Sequence, residues 1–188
     1  MLPENILPFV HHLLRTQIAS GAHALDATAG NGHDTLHLAH CVGREGCVWA
    51  FDVQAEALAE TQRKLKAACI SERVRLIHDG HEHLDRYITQ PLSAAVFNLG
   101  YLPHGDKHVA TAADTTLIAL QKSLKWLQKD GILTVVLYGG HEAGQVECAI
   151  VETWAQQLPQ AEVDVLRYRF ANRPQSAPYA LIFRKMIP

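Results

Sequence analysis

The sequence lacks several patterns that mark specialised classes of protein. Its four cysteines include no Cys-x-x-Cys pair, so we expect no zinc or redox motif and interpret all four as buried, reduced thiols. No apolar run approaches the roughly 18 residues that a membrane-spanning helix requires. The first residues show no basic segment followed by a small-residue cleavage site. We therefore expect a soluble protein of the cytoplasm.

Metal-binding patterns are also missing, although the sequence contains 12 histidines. His33 and His37 are one helical turn apart, and His81 lies close to His83. A metal site needs three or four converging ligands, and neither His-Glu-x-x-His nor a cluster of Cys and His is present. The sequence predicts no bound metal.

Acidic side chains are missing from the C-terminal part of the sequence. The formal net charge of the 188 residues is −2, which argues against a strongly basic nucleic-acid binder. No acidic residue follows Asp164, whereas five basic residues do: Arg167, Arg169, Arg173, Arg184 and Lys185. This end could present a positive field to phosphates, or its side chains could simply be solvated.

Strand-like apolar runs alternate with helical runs along most of the chain. The predicted strands are residues 22–28, 47–53, 73–79, 93–100 and 132–140, and the predicted helices are 33–42, 55–69, 110–130 and 141–158. Gly131 is predicted to cap the third of these helices. Residues 161–172 and 177–186 resemble a closing antiparallel hairpin. The pattern predicts an α/β fold with a doubly wound, mostly parallel seven-stranded sheet. We expect one domain over residues 1–188, with a helical extension in residues 1–20.

Polar or glycine residues follow each of the first five predicted strands. They are Gly30-Asn31-Gly32, Asp52, Asp79-Gly80-His81, Asn98 and Tyr138-Gly139-Gly140. Each could be an ordinary turn or cap residue. Their coincidence favours a ligand site, because open α/β sheets bind ligands at the carboxyl ends of their strands, and an acid about 20 residues past the glycines is typical of nucleotide sites.

Asp26 indicates which nucleotide-like ligand is bound. A dinucleotide site places a third small residue where this chain has Thr35, and it brings a pyrophosphate to the helix N-terminus. A carboxylate at Asp26 would repel phosphate, but it suits the cationic amine and sulfonium of S-adenosylmethionine (AdoMet). Gly30 and Gly32 would let the backbone approach this ligand. Further contacts are predicted from Asn31 and Asp34 at the helix start, from Asp52 to the ribose hydroxyls, and from Asp79 or His81 to the adenine or methionine end.

Six segments together resemble a known family over almost the whole chain. They are "DATAGNGHDTLHLA", "AFDVQ", "DGHE", "FNLGYLPHGDK", "YGGHEAG" and "FANRPQSAP", and they resemble the AdoMet-dependent methyltransferases labelled rRNA methylases. Characterised members methylate 5-aminomethyl-2-thiouridine at the tRNA wobble position. The resemblance implies a class I (Rossmann-like) methyltransferase fold. It also implies AdoMet contacts from Asn31, Asp34, Thr35, Asp52, Gln54 and His81.

The resemblance also implies where the acceptor lies. "NLGY" is similar to the Asn-Pro-Pro-Tyr-like loop of amino-methyltransferases, in which the asparagine accepts a hydrogen bond from the amine. We therefore expect Asn98 to orient the amine, Tyr101 to stack on the base, and Asp106 or His104 to accept the proton. His104 and Arg173 depart from the family pattern, which bears on the substrate more than on the cofactor.

The expected partner is the anticodon arm of tRNA, which the basic C-terminal part would contact. A homodimer is common among compact RNA methyltransferases of this kind. The alternatives are a methyltransferase acting on rRNA or on a small molecule, a nicotinamide-dependent oxidoreductase, and a non-catalytic AdoMet- or RNA-binding module. Thr35 and Asp26 speak against the oxidoreductase.

Overall fold

Seven strands form one sheet in the computed structural model, which describes residues 4–100, 113–140 and 142–188. The strands are β1 (His23–Asp26), β2 (Cys47–Asp52), β3 (Val74–His78), β4 (Leu92–Asn98), β5 (Leu127–Leu137), β6 (Val163–Tyr168) and β7 (Tyr179–Lys185). Their order is β3-β2-β1-β4-β5-β7-β6. The first five strands are parallel, and β7 runs antiparallel to both β5 and β6. This confirms the predicted α/β sheet and its antiparallel closing hairpin.

Helices cover both faces of the sheet, and each face carries its own apolar cluster. The helices are α1 (Ile6–Gln17), α2 (His33–Val42), α3 (Ala55–Ala67), α4 (Ala113–Trp126) and α5 (Glu142–Gln157), with short 3₁₀ turns at Ser71–Arg73 and His81–Arg86. β4 is buried along its length up to Phe97, as expected of a strand that is covered on both sides. Among the described residues, no helix is both long and apolar enough to cross a membrane.

The predicted helix over residues 110–130 is wrong at its C-terminal end. Helix α4 ends at Trp126, and Leu127 already pairs with Leu92 in the sheet. The register then shifts before Ile132 pairs with Ala94. Asp130 has a positive φ of 63° in this irregular stretch, and its carboxylate accepts hydrogen bonds from Arg184. Strand pairing by the buried Leu127 therefore overrides the helical periodicity, and Gly131 lies within β5 rather than at a helix cap.

Helix α1 is packed firmly onto the sheet. Its residues Ile6, Val10 and Leu14, four positions apart, are buried in the apolar cluster that also contains β4, β5 and β7 residues. Phe9 stacks on Tyr168 with ring centroids 3.8 Å apart, and the Tyr168 hydroxyl donates a hydrogen bond to the Glu4 carbonyl at 2.7 Å. These contacts fix the position of α1 relative to α2 and to the carboxyl ends of the central strands.

The cysteines differ in part from the expectation that all four are buried. All are free thiols, and only Cys148 is buried, while Cys41 and Cys47 are half-buried and Cys69 is exposed. Cys69 follows the end of α3 with a φ of 56°, and the N–H of Ile70 reaches back to the Leu65 carbonyl at 3.1 Å. This is the Schellman arrangement that ends many helices, so Cys69 occupies a helix-capping position that points outward.

Candidate cofactor and acceptor site

The site lies where the strand order reverses, between β1 and β4, which is the expected ligand position in a doubly wound sheet. Residues 27–32, here termed the glycine loop, leave β1 and are tied to both neighbouring strands. The N–H of Ala27 donates to the Val96 carbonyl at 2.9 Å, and the N–H of Ala29 donates to Phe51 at 2.8 Å. The Asn98 N–H donates to the Thr28 hydroxyl at 2.8 Å. The structure thus brings the predicted ends of β1, β2 and β4 together.

Asp52 at the end of β2 holds the glycine loop and the start of α3 in place. One carboxylate oxygen accepts the N–H of Gly30 at 2.8 Å, and the other accepts the N–H of Gln54 at 2.9 Å. The side chain is half-buried, so it can still be reached by a ligand. Each carboxylate oxygen can accept more than one hydrogen bond, which leaves capacity for the ribose hydroxyls. Its contact with a ribose stays a prediction.

Gly32 is required by the conformation of the loop and by its packing against α3. It is the N-cap of α2 with a φ of 76°, a region that other residues rarely adopt. An added Cβ would lie 2.7 to 2.9 Å from Thr61 atoms, including its Cα. The bare backbone therefore allows close packing against α3, and its approach to the ligand stays a prediction. Thr61 lies on the buried face of α3.

Helix α3 also fixes the carbonyl groups of the glycine loop. The Thr61 hydroxyl donates to the Gly30 carbonyl at 3.0 Å, and the Lys64 ammonium donates to the Asn31 carbonyl at 2.6 Å. With Asp52 holding the amide of Gly30, the loop is fixed from both sides. Neither Thr61 nor Lys64 was predicted from the sequence, because nothing local marks a contact across some 30 residues.

Asp26 and Thr35 form a buried pair beneath the glycine loop. Neither side chain has exposed surface; the Thr35 hydroxyl donates to one Asp26 oxygen at 2.6 Å, and the Thr28 N–H donates to the other at 3.1 Å. Burial, followed by the nearby charge of Asp34, raises the pKa of Asp26 from 3.8 to about 7. The carboxyl group is therefore sensitive to any positive charge brought to the loop. Direct contact of either residue with a ligand stays a prediction.

Asp34 joins three elements of the site. One carboxylate oxygen accepts from His11 Nε2 of α1 at 2.5 Å, and the other accepts from the Asn98 amide at 3.2 Å. Asp34 is only 8% exposed. Tyr138, at the end of β5, shares a hydrogen bond with the Asn98 side chain, and its pKa is raised by burial and then by the charge of Asp34. Asn98, the predicted acceptor residue, is thus held at the centre of a polar cluster.

His81 contacts the glycine loop through one ring nitrogen and has a second ring nitrogen that is buried. Its Nδ1 is 3.0 Å from the Ala27 carbonyl; because a carbonyl only accepts, Nδ1 carries the proton and Nε2 is an acceptor. Nε2 is buried with no hydrogen-bond partner among the described residues. Burial lowers the pKa of His81, so the ring stays neutral. A buried acceptor of this kind needs a donor, which a ligand amine or the adenine amino group can supply.

Asp79 is engaged within its own turn. Its carboxylate accepts hydrogen bonds from the Gly80 N–H, His83 Nδ1 and the Tyr87 hydroxyl, each at 2.8 Å. The hydrogen bonds from His83 and then Tyr87 hold the pKa of Asp79 at about 2. The residue therefore shapes the 3₁₀ turn that carries His81, and its contact with a ligand stays a prediction.

The arginines after Asp164 already have partners in the protein. Arg167 forms an ion pair with Glu152 at 3.1 Å. Arg169 donates to the Gln175 carbonyl at 2.6 Å, and Arg173 donates to Asn5 and lies 3.9 Å from the centre of the Phe170 ring. Arg167 and Arg169 flank Tyr168, which pairs with Ala180, and Ala180 also pairs with Val136 near the end of β5. The first two arginines therefore lie toward the same edge of the sheet as Asn98.

Some predicted residues cannot be placed. Tyr101, His104 and Asp106 lie outside the described residues, so the predicted stacking residue and proton acceptor stay predictions. Within the described part of the chain, no group of three His, Cys, Asp or Glu side chains could hold a metal ion. A surface cavity of about 480 Å³ between α4, α5 and the end of β7 is lined by none of the residues predicted to contact the cofactor or the acceptor amine.

The family model described as "Putative rRNA methylase" matches residues 48–184. A curated relative from Arabidopsis thaliana, the chloroplastic tRNA (mnm5s2U34)-methyltransferase, is 33% identical, and the match covers 94% of this chain and 68% of the relative. A structure from Clostridium thermocellum that is described as an rRNA-methylase is 38% identical. Its TM-score is 0.97, and the match covers 99% of this chain and 100% of the other. A Streptococcus mutans structure in complex with SAH, the demethylated form of AdoMet, is 35% identical, with a TM-score of 0.90 over 98% and 100% of the two chains.

Proposed function

Since the chain belongs to the rRNA methylase family and is an AdoMet-dependent methyltransferase, we propose that it methylates the exocyclic amine of 5-aminomethyl-2-thiouridine at the tRNA wobble position. The product is 5-methylaminomethyl-2-thiouridine. The observation that carries the proposal is the position of Asn98 beside the glycine loop, with its amide held by Asp34. The Arabidopsis relative, whose name specifies this uridine, supports the choice of acceptor.

The described residues fit AdoMet. Asp52 offers a half-buried carboxylate for the ribose, and His81 offers a buried acceptor nitrogen for an amine. Asp26 lies beneath the loop where a cationic methionine end is best tolerated. The predicted side-chain contacts of Asn31, Asp34, Thr35 and Gln54 belong to the same proposal. When bound, AdoMet supplies a methyl group on a sulfonium. The neutral thioether that remains after transfer is a good leaving group.

The protein's own part in the reaction is chiefly alignment. An alkylamine is mostly protonated near neutral pH and must lose a proton before its nitrogen can take the methyl group. The Asn98 Oδ1 atom accepts a hydrogen bond from the amine and so directs its lone pair. The proton that leaves passes to Asp106 or His104, and Tyr101 stacks on the uracil ring. No covalent intermediate with the protein is required.

Nucleoside mass spectrometry tests the proposed acceptor. The purified protein is incubated with labelled AdoMet and with tRNA from a strain that lacks this gene. We expect a gain of one methyl group on 5-aminomethyl-2-thiouridine and on no other nucleoside. Label that appears only in rRNA, or only in small amines, would show that the proposed acceptor is wrong and would leave the cofactor assignment unchanged.

A cytoplasmic location and a homodimer stay predictions.

Binding of AdoMet should release protons near neutral pH. Asp26 has a pKa of about 7 in the free protein, so it is partly protonated at pH 7. A cationic ligand stabilises the carboxylate and lowers this pKa. Calorimetric titration at pH 7 should therefore give binding enthalpies that differ between phosphate and Tris buffers in proportion to the buffers' ionisation enthalpies.

Two controls isolate Asp26 as the source of the protons. Asp26→Asn should remove the dependence on buffer. SAH, which lacks the sulfonium charge, should release fewer protons than AdoMet from the unchanged protein. An AdoMet binding enthalpy that is the same in both buffers would rule out this role of Asp26. A buffer dependence that persists in Asp26→Asn would assign the protons to another group.

Charge reversal at Arg167 and Arg169 together should weaken tRNA binding and reduce its salt dependence. Each lost phosphate contact lowers the slope of log K against log salt concentration by roughly 1. Arg184→Glu is the control, because Arg184 belongs to the same basic C-terminal part but pairs with Asp130 near the opposite end of β7 from the first two arginines. The measurement is filter binding of tRNA at several salt concentrations, with melting curves to confirm folding. A salt slope equal to that of the control would exclude this surface from the tRNA interface.

A further inference from the structure

A series of hydrogen-bonded side chains connects α1 to Asn98, the residue predicted to orient the acceptor amine. His11 Nε2 of α1 contacts one oxygen of Asp34, and the other oxygen contacts the amide of Asn98 at 3.2 Å. The connection spans elements far apart in the sequence, since His11 is 23 residues from Asp34 and Asp34 is 64 residues from Asn98. None of these contacts arises from neighbouring residues, so each depends on the docking of α1 and α2.

The direction of each hydrogen bond in this series follows from the chemistry of Asp34, its middle residue. An ionised carboxylate only accepts hydrogen bonds, so Asp34 requires a donor on each side. His11 must therefore carry a proton on Nε2. The Asn98 amide must turn its NH₂ group toward Asp34, which leaves Oδ1 as the atom of this amide that can accept a hydrogen bond. The orientation of Asn98 that suits an amine substrate is thus set by Asp34.

His11 is itself held in a fixed orientation. Its ring stacks on that of His37, with centroids 4.3 Å apart and planes 11° apart. His37 Nε2 donates to the backbone carbonyl of His11 at 2.9 Å, and the His11 side chain is 30% exposed. The buried residues Val10 and Leu14 anchor the same turn of α1. The ring is therefore placed by packing before any ligand arrives.

We propose that His11 is a positioning residue for methyl transfer, which holds Asp34 so that Asp34 in turn fixes the Asn98 amide toward the acceptor amine. This rests on the proposed function, in which Asn98 orients the amine. The helical extension is then part of the catalytic apparatus, through a residue that acts on the acceptor by way of Asp34 and Asn98. A purely structural role of α1 would not depend on a donor at the position of Nε2.

Three variants separate these roles. His11→Ala removes the donor, and it should lower kcat by about 10- to 100-fold with a smaller rise in the Kd of AdoMet. His11→Gln retains an N–H close to the position of Nε2 and should recover most of the lost kcat. His12→Ala is the matched control, because His12 lies on the same helix, is also half-buried and contacts Arg15 instead. Melting curves establish that all three variants fold.

A double-mutant cycle shows whether His11 acts through Asn98. If it does, His11→Ala should cost little further activity in a protein that already carries Asn98→Ala. Equal kcat in His11→Ala and His12→Ala would overturn the proposal. So would a His11→Gln variant that is folded but as slow as His11→Ala, or additive losses in the cycle.

The ring nitrogen spectrum of His11 gives a readout that does not depend on activity. Nitrogen-15 NMR of the ring should show the proton on Nε2 in the free protein, and the Nδ1–H form would overturn the proposal directly. This outcome is distinguishable from an error in the proposed acceptor. If the enzyme methylates a different RNA, that RNA replaces the wobble uridine as the acceptor, and the effect of His11 is then measured on it.

Discussion

Replacing Asn98 by alanine is expected to lower kcat for methyl transfer by about 100-fold, with little change in the Kd of AdoMet. The substitution removes the amide that joins the end of β4 to Asp34 and Tyr138. The acceptor amine then loses the partner that directs its lone pair toward the methyl group. The backbone hydrogen bond of residue 98 to Thr28 is independent of the side chain, so the glycine loop should keep its conformation.

Single-turnover kinetics with tRNA, together with calorimetric titration of AdoMet, separate the two effects in the Asn98→Ala variant. Single-turnover rates report the chemical step without product release. Unchanged turnover with AdoMet still bound would show that Asn98 does not orient the acceptor. A large loss of AdoMet affinity instead would move Asn98 from the acceptor to the cofactor part of the site.

Substituting Gly32 by alanine should lower the free energy of unfolding by about 2 to 5 kcal/mol and abolish measurable AdoMet binding. The estimate combines the cost of a left-handed conformation for a residue with a Cβ, about 1 to 2 kcal/mol, with the cost of overpacking, about 1 to 3 kcal/mol. Here φ is 76°, and the new Cβ would lie 2.9 Å from the Cα of Thr61, which is backbone and cannot rotate away.

Gly140→Ala is the matched control for Gly32→Ala. An added Cβ at Gly140 meets no described atom within 4 Å, so its effect should stay within about 0.5 kcal/mol. Urea denaturation measures both variants, and melting curves with and without AdoMet report ligand binding. A Gly32→Ala protein as stable as the control would mean that the glycine loop can move away from α3 at little cost.

The sheet could be predicted closely because its central strands are almost uninterrupted apolar runs. Residues 47–53 and 93–100 include buried strands whose ends carry Asp52 and Asn98, and parallel strands bring such ends together. The end of α4 could not be predicted in this way. Leu127 continues the helical pattern in the sequence, and only its pairing with Leu92 shows that it begins β5.

The candidate site was predictable where a residue follows a strand, and not where it is supplied by a packed helix. Asp52 and His81 were singled out because they follow strands, and their contacts with a ligand stay predictions. His11 and Thr61 were missed because both act across long separations, 23 residues to Asp34 and 31 residues to Gly30. The sequence around a histidine or threonine on a helix does not indicate which distant residue its side chain contacts.

The position of β7 inside the sheet has a consequence for how the protein folds during synthesis. β7 follows β6 in the sequence but lies between β5 and β6, and within the described residues β6 pairs with no other strand. Until residue 185 has left the ribosome, β6 cannot join the sheet and β5 remains an open edge. Exposed edges of this kind invite pairing with other chains. We therefore expect nascent chains that stop before residue 179 to be more prone to aggregation than the 188-residue chain.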